Sequence, residues 1–189
     1  MEKLSARIGI PIKAQEIGAK IGVEIGVLRG EFSVSILNSA PDMFLYLVDA
    51  WSYQNDVVDM ANISQEVSDS DYNIAIENLK PYEGRFEISR KFSHKAVLDF
   101  EDDFFDFIFI DADHSYSGCL SDLTLWFPKL KIGGIFSGHD YIPDIKKDAA
   151  GSEFGVKSAL DKFLEDKNYE LNITGEPQPY AYPSWWFIK

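Results

Sequence analysis

The chain has 189 residues, which is enough for one ordinary domain and too few for two large ones. Its formal net charge of -13 argues against DNA or RNA as a ligand, because phosphate binding usually requires a surplus of Lys and Arg. No apolar run reaches the roughly 20 residues of a membrane span, the single cysteine excludes an internal disulfide, and no secretory signal is recognisable. We therefore expect one cytoplasmic domain over residues 1–189 that binds neither nucleic acid nor membrane.

Predicted strands and helices alternate along the chain, which is typical of a doubly wound α/β sheet. The strands are predicted at 21–25, 44–48, 85–89, 104–110, 132–136, 170–174 and 184–188. The helices are predicted at about 13–20, 31–39, 71–79 and 155–166, with one more between the fourth and fifth strands. A polar stretch at 51–70 is a candidate lid, and a Pro-rich bend at 177–183 predicts a final antiparallel strand. These elements predict a mostly parallel sheet of about seven strands with an antiparallel C-terminal strand.

The helix between the fourth and fifth strands is predicted from an apolar stripe. The stripe contains Leu120, Leu123, Phe127 and Leu130, which would share one face. We interpret Gly133-Gly134 as a turn near the start of the fifth strand. Strand, helix and strand then form a right-handed crossover, so the two strands are parallel and their carboxyl ends emerge at the same edge of the sheet.

Ionisable residues cluster at that edge. One group follows the fourth strand and one follows the fifth: Asp111, Asp113 and His114, then His139 and Asp140. Open α/β sheets bind their ligands at this edge. Several titratable groups that converge there predict a functional site.

A glycine-containing turn follows the first predicted strand. The sequence from 23 to 33 reads VEIGVLRGEFS, with glycines at Gly26 and Gly30. Glycines at such a turn let the backbone approach a ligand and leave helix N–H groups available, although glycines that only turn the chain are the alternative. Asp49 ends the second strand, where an acidic residue reaches the hydroxyls of a bound ribose in dinucleotide-type sites. The carboxylate of Glu24 would suit a cationic ligand better than a pyrophosphate.

This turn resembles the first motif of the class I S-adenosylmethionine-dependent methyltransferases. The resemblance implies a Rossmann-like fold in which Gly26 and Gly30 wrap the methionine part of S-adenosyl-L-methionine, with Glu24 behind it. It also implies that Asp49 binds the ribose hydroxyls and that Ser93, in the segment RKFS at 90–93, contacts the adenine side. The blocks FIFIDADHSY and GGIFSGHDY are similar to those of a small-molecule O-methyltransferase subgroup with macrocin-type and cephalosporin hydroxylase-like proteins.

Metal-dependent catechol and caffeoyl-coenzyme A O-methyltransferases of this fold bind a divalent ion after strands four and five. Asp111 matches their first aspartate, and His139 and Asp140 match an Asp-Asn pair, so the resemblance implies a site for Mg²⁺ or Mn²⁺. The imidazole shifts the preference toward Mn²⁺, Fe²⁺ or another transition ion. His114 occupies the place of the general-base lysine in those relatives. Histidine can accept a hydroxyl proton near neutrality, because its unperturbed pKa is about 6.5.

Three of these residues have alternative interpretations. Asp111, a candidate for catalysis, cofactor binding and metal binding, would otherwise cap the helix that follows it. Asp113 is better placed for that cap. For His139, a ligand or substrate contact and a structural hydrogen bond are both open.

The leading hypothesis is an S-adenosylmethionine-dependent methyltransferase that O-methylates a small hydroxylated molecule, such as a sugar or secondary metabolite, with assistance from a divalent metal. The alternatives are a non-catalytic S-adenosylmethionine-binding accessory protein and an iron-dependent hydroxylase-type enzyme. Little sequence precedes the first strand, where extensions usually build the substrate pocket in this fold. We therefore expect a partner subunit, in a homodimer, to help complete the pocket.

Overall fold

The computed structural model describes residues 4–55, 62–145, 151, 153–175 and 182–189, so parts of the candidate lid and of the Pro-rich bend lie outside the described residues. Its strands are β1 Ile21–Ile25, β2 Phe44–Val48, β3 Phe86–Ser89, β4 Phe105–Ile110, β5 Leu130–Gly138, β6 Asn172–Ile173 and β7 Trp185–Ile188. Its α-helices are α1 Gly9–Glu16, α2 Glu31–Ser39, α3 Gln65–Leu79, α4 Ser93–Ala96, α5 Tyr116–Trp126 and α6 Val156–Leu164. Within the described residues, no helix has both the length and the apolar character needed to cross a bilayer.

The strands form one sheet in the order β3-β2-β1-β4-β5-β7-β6. Pairing is parallel from β3 to β5, and β7 is antiparallel to both β5 and β6. This confirms the predicted mostly parallel, Rossmann-like sheet with an antiparallel C-terminal strand. On one side of the sheet the chain proceeds outward from β1 to β2 and β3, and on the other side it proceeds outward from β4 to β5. The carboxyl ends of β1 and β4 therefore flank the switch point, where doubly wound sheets open a crevice for ligands.

Apolar side chains bury both faces of the sheet. One layer packs α4, α5 and α6 on the sheet, and the other packs α1, α2 and α3. Trp185 belongs to the first layer and Trp186 to the second, as expected for neighbours in a strand whose side chains alternate between faces. Each large apolar side chain that is fully buried contributes about 1.5–3 kcal/mol to folding. The two layers hold the strand ends rigidly at the edge that carries the ionisable residues.

Two helices begin earlier than predicted. α1 begins at Gly9, because Pro11 suits a first helical turn, and it ends before Gly18, which has a φ of +81° and terminates the helix. α3 begins at Gln65 because the side chain of Ser64 caps it, accepting a hydrogen bond from the N–H of Val67 at 3.3 Å.

The predicted boundary between α5 and β5 was wrong. Pro128 cannot continue the α-helix, so α5 gives way to a 3₁₀ turn at Phe127–Lys129, and Leu130 begins β5 instead of extending the apolar stripe of α5. Gly133 and Gly134 lie inside β5, where its register with β4 shifts, and they do not form a turn before it. A Cβ atom at Gly134 would lie 2.9 Å from the backbone oxygen of Asp106, so this irregular pairing requires glycine.

Candidate active site

The turn between β1 and α2 lies against the carboxyl end of β4. Gly26 has a φ of +88°, and a Cβ atom there would lie 1.9 Å from the backbone oxygen of Asp111. Gly30, with a φ of +73°, immediately precedes α2. Only glycine can adopt the left-handed backbone of residue 26 and also allow the backbone of Asp111 to lie so close. The turn 26–30, which we call the glycine loop, is therefore positioned at the switch point of the sheet.

Asp49, which follows β2, holds the glycine loop with its carboxylate. Its Oδ2 accepts hydrogen bonds from the N–H groups of Val27, at 2.9 Å, and Leu28, at 3.0 Å. Its Oδ1 accepts one from the N–H of Trp51 at 2.8 Å, and the Trp51 indole donates to the backbone oxygen of Leu28 at 2.8 Å. Each carboxylate oxygen has more than one lone pair, so ribose binding by Asp49 is compatible with these bonds and stays a prediction.

Glu24 lies in β1 beneath the loop and is 2% exposed. Burial raises the pKa of its carboxyl to about 8, although a hydrogen bond donated by the Ser33 hydroxyl opposes the shift. Glu24 is therefore mostly a neutral acid near pH 7. Its predicted attraction for a cationic ligand depends on deprotonation, and its contact with the cofactor stays a prediction.

Ser93 lies at the start of α4, after β3, where the sequence placed the adenine-side loop. Its hydroxyl donates to the carboxylate of Asp122 at 2.5 Å and accepts from the Trp126 indole at 2.8 Å. Burial raises the pKa of Asp122 to about 6. Ser93 thus joins α4 to α5, and its predicted adenine contact remains untested by this arrangement. Asp122 lies on the buried side of α5, but no sequence motif marked it as a site residue.

The two ionisable clusters meet at the carboxyl ends of β4 and β5. The Nε2 atom of His114 lies 3.0 Å from Oδ2 of Asp140 and 3.4 Å from Oδ1 of Asp111. The Nδ1 atom of His139 lies 2.9 Å from Oδ1 of Asp140 and 3.8 Å from Oδ1 of Asp111. The four side chains predicted for catalysis and metal binding thus form one cluster, as the parallel pairing of the two strands requires.

Backbone contacts fix the positions of these side chains. The N–H of Asp111 donates to the backbone oxygen of Ile25 at 2.7 Å, and the N–H of His139 donates to that of Ile110 at 3.1 Å. Asp140 has a φ of +58°, a left-handed conformation that Asp tolerates better than most residues. The cluster is therefore attached directly to the rigid ends of β1 and β4.

Mutual electrostatics shift the titration of the cluster. Burial would raise the pKa of Asp111, but the hydrogen bond with His114 and the charges of His139 and Arg7 hold it below its ordinary value. Burial would lower the pKa of His139, but its hydrogen bond with Asp140 and the charge of Asp111 raise it above its ordinary value. These interactions thus favour the ionised form of Asp111 and the protonated form of His139.

The cluster also fits a divalent cation. Asp111, His139 and Asp140 each offer one ligand atom, and these atoms lie within 4.8 Å of one another. Two carboxylate oxygens and one imidazole form a donor set suited to Mn²⁺ or Fe²⁺, and the carboxylates also suit Mg²⁺. Geometry therefore permits a metal at the positions predicted from the sequence.

The helix cap after β4 differs from the prediction. Ser115, and not Asp113, caps α5: its side chain accepts a hydrogen bond from the N–H of Gly118 at 3.1 Å. Asp113 accepts from the N–H of Ser115 at 2.9 Å, one step outside the helix. Among the described residues, Ser115 caps α5 and Asp111 does not, so the carboxylate of Asp111 belongs to the ionisable cluster. The ring of His114 stacks on Phe154, with centroids 5.2 Å apart.

Arg7, in the turn before α1, is a site residue that the sequence analysis missed. Its guanidinium carbon lies 4.6 Å from the centre of the Phe32 ring, and its NH1 atom lies 3.8 Å from Oδ2 of Asp111. Both partners are distant in sequence, and no local pattern marks the arginine. Arg7 brings a positive charge to the crevice between the glycine loop and the ionisable cluster.

Comparison with known proteins identifies the family. A family model described as a methyltransferase domain matches residues 23–141, more than half of the chain. No curated protein gave a significant match. The matched region extends from β1 to the residue after Asp140, and so includes the glycine loop, Asp49 and the ionisable cluster.

Solved structures share the fold. An O-methyltransferase from Bacillus cereus in complex with SAH aligns with a TM-score of 0.67 at 15% identity, covering 96% of this chain and 80% of that one. The O-methyltransferase TomG from Streptomyces achromogenes, involved in tomaymycin synthesis and in complex with SAM, aligns with a TM-score of 0.68 at 14% identity, covering 96% and 78%. At such identities the likeness concerns the fold. The chain belongs to the methyltransferase-domain family and has the Rossmann-like fold of class I S-adenosylmethionine-dependent O-methyltransferases.

Proposed function

We propose that this protein transfers a methyl group from S-adenosyl-L-methionine to a hydroxyl oxygen of a small molecule. The observation that carries the proposal is the position of His114, 3.0 Å from Asp140 and 3.4 Å from Asp111, the residue whose backbone oxygen faces Gly26 of the glycine loop. O-methylation is accelerated by a proton acceptor that lies next to the binding site of the methyl donor, and His114 would take this position if the glycine loop binds the donor. The solved neighbours named as O-methyltransferases with SAM or SAH bound support the choice of donor.

The glycine loop and Asp49 would bind the donor. Gly26 lets the glycine loop pack directly against the backbone of Asp111 and so keeps the loop at the ends of β1 and β4, where the donor would lie. Asp49 has lone pairs for ribose hydroxyls in addition to its bonds to Val27 and Leu28. The donor supplies a sulfonium methyl that is already activated for transfer. The remaining tasks of this chain are therefore to align an acceptor oxygen and to receive its proton.

His114 would receive that proton. An imidazole has an unperturbed pKa of about 6.5 and can accept a proton near neutrality. Asp111 and Asp140 face its Nε2 atom and would stabilise the imidazolium that forms. General-base assistance of this kind contributes roughly 10² to 10⁴-fold to a rate.

We propose that Asp111, His139 and Asp140 hold a divalent ion during this reaction. Their ligand atoms lie within 4.8 Å of one another, and the pKa of Asp111 is already held below its ordinary value, so the carboxylate is available as a charged ligand. Such an ion supplies Lewis acidity that lowers the pKa of a nearby hydroxyl. The protein itself orients the ligands through the ends of β4 and β5.

The test is a transfer assay with matched acceptor pairs. Each pair consists of a hydroxylated molecule, such as a sugar or a phenol, and the analogue that lacks one hydroxyl. We expect SAH release and a new O-methyl product with at least one hydroxylated member and none with its partner. Donor binding without transfer to any hydroxyl would contradict the proposal and favour a non-catalytic accessory protein. Methylation of nitrogen or carbon acceptors alone would also contradict it.

A further inference from the structure

Arg7 crosses the crevice at the switch point of the sheet. It lies just before α1, where its backbone oxygen accepts a hydrogen bond from the N–H of Ile10 at 3.0 Å. Its guanidinium stacks on Phe32, in the first turn of α2, and reaches to 3.8 Å from Asp111 at the end of β4. The side chain therefore spans the two elements between which the methionine part of the donor would lie.

The surroundings of Arg7 are rich in carboxyl groups. Its positive charge slightly opposes the upward shifts in the pKa of Glu24 and of His139, and it helps to hold the pKa of Asp111 below its ordinary value. Asp49 and Asp140 line the adjoining ends of β2 and β5. Arg7 is thus a cation at a crevice where a negatively charged ligand group would otherwise be repelled.

The pair between Arg7 and Asp111 is a loose one. At 3.8 Å it is longer than a hydrogen bond, and the side chains are 38% and 23% exposed. Partly exposed ion pairs contribute little to stability, so a better partner can replace Asp111 at low cost. Stacking on Phe32 would hold the guanidinium in place during that exchange.

The amino-acid part of S-adenosylmethionine carries a sulfonium, an ammonium and a carboxylate. The two cations suit a crevice that has the carboxylate of Asp49 at its edge, whereas the carboxylate of the donor needs a positive partner. A planar guanidinium matches a carboxylate with two parallel hydrogen bonds. On the basis of the function proposed above, we infer that Arg7 binds the α-carboxylate of S-adenosylmethionine and exchanges its pair with Asp111 for this one.

The experiment compares two ligands that differ only in that carboxylate: S-adenosylmethionine and decarboxylated S-adenosylmethionine. Calorimetric titration should show that the wild-type protein prefers the first by roughly 10- to 100-fold, as expected for a charge-assisted hydrogen bond. Arg7→Met should bind the decarboxylated ligand as the wild type does and lose the preference. Arg7→Lys should keep part of the preference, because lysine keeps the positive charge but cannot donate two parallel hydrogen bonds.

Lys13→Met is the matched control. It removes one positive charge from the neighbouring helix α1, where Lys13 pairs with Glu16 at 3.0 Å, and it should keep the full preference. If Arg7→Met does not fold, Arg7→Gln replaces it with the same expectation. The inference is overturned if the Arg7 variants lower the affinity for both ligands equally or keep the wild-type preference. Failure of the wild type to bind either ligand would instead overturn the proposed function.

Discussion

The Nε2 atom of His114 lies 3.0 Å from Oδ2 of Asp140, although the two residues follow different strands of the sheet. The other oxygen of the same carboxylate lies 2.9 Å from Nδ1 of His139. Asp140 therefore joins two imidazoles. This contact links the proton acceptor that we propose to the residues that we propose as metal ligands.

His114→Ala should lower the rate of methyl transfer at saturating donor by roughly 10² to 10⁴-fold, because it removes the proton acceptor. The affinity for SAH should change little. Steady-state kinetics together with calorimetric titration of SAH measure both quantities. His94→Ala is the control, since His94 is an exposed histidine that stacks on Phe92 outside the ionisable cluster. An equal loss of rate and SAH affinity in His114→Ala would mean that the residue is structural.

Asp111→Asn should abolish the response to divalent ions. Asp111 belongs to the set of ligand atoms that converge within 4.8 Å, and an amide is a much weaker ligand than a carboxylate. Titration of the metal-free protein with Mn²⁺ and Mg²⁺ checks this. Asp102→Asn, which removes an exposed carboxylate paired with Lys129, should behave as the wild type does. Unchanged metal binding and turnover in Asp111→Asn would remove Asp111 from the site.

Gly26→Ala should destabilise the protein much more than Gly84→Ala. Both glycines have left-handed backbones, with φ of +88° and +84°. A Cβ atom at Gly26 would lie 1.9 Å from the backbone oxygen of Asp111, whereas a Cβ atom at Gly84 would have no neighbouring atom within 4 Å. Gly84→Ala isolates the conformational cost of about 1–2 kcal/mol. Urea denaturation measures the difference. Similar losses would show that the glycine loop can move away from β4.

Glu24→Gln should flatten the dependence of stability on pH. The pKa of Glu24 is raised to about 8 in the folded protein, against an ordinary value of about 4.3 in the unfolded chain. The folded state therefore binds more protons between these values, and its stability falls as pH rises from about 4.3 through about 8. Denaturation at pH 5 and pH 8 measures the decrease, which should be smaller in Glu24→Gln. Exposed Glu77, changed to Gln, is the control. Equal decreases in wild type and Glu24→Gln would contradict the shift.

The sequence predicted the elements whose signal is local. The runs that form β1 and β2 are short and apolar, and α2 is bounded by Gly30 and by Pro41, so their limits match the structure. Gly133-Gly134 misled the prediction because a pair of glycines inside an irregular strand has the same sequence signal as a turn. Asp113 was the predicted cap of α5, and the structure has Ser115 there instead, two residues further along the chain.

The candidate site was predictable to the extent that topology dictates it. Parallel pairing of β4 with β5 brings Asp111 and His114 together with His139 and Asp140, so their spacing along the chain sufficed. Arg7 was not predictable, because its partners Phe32 and Asp111 come from elements that meet only in the folded protein. A single long side chain that contacts two distant elements leaves no repeating pattern in the sequence from which the contact could be predicted.

Calorimetric titration of the metal-stripped protein with S-adenosylmethionine and SAH tests the central claim most directly. NAD serves as the comparison ligand, because it shares the adenosine part but carries a pyrophosphate. We predict binding of both sulfur nucleosides with dissociation constants on the order of micromolar and no binding of NAD. Absence of binding by both sulfur nucleosides, or a preference for NAD, would contradict the assignment of this crevice to a methyl donor.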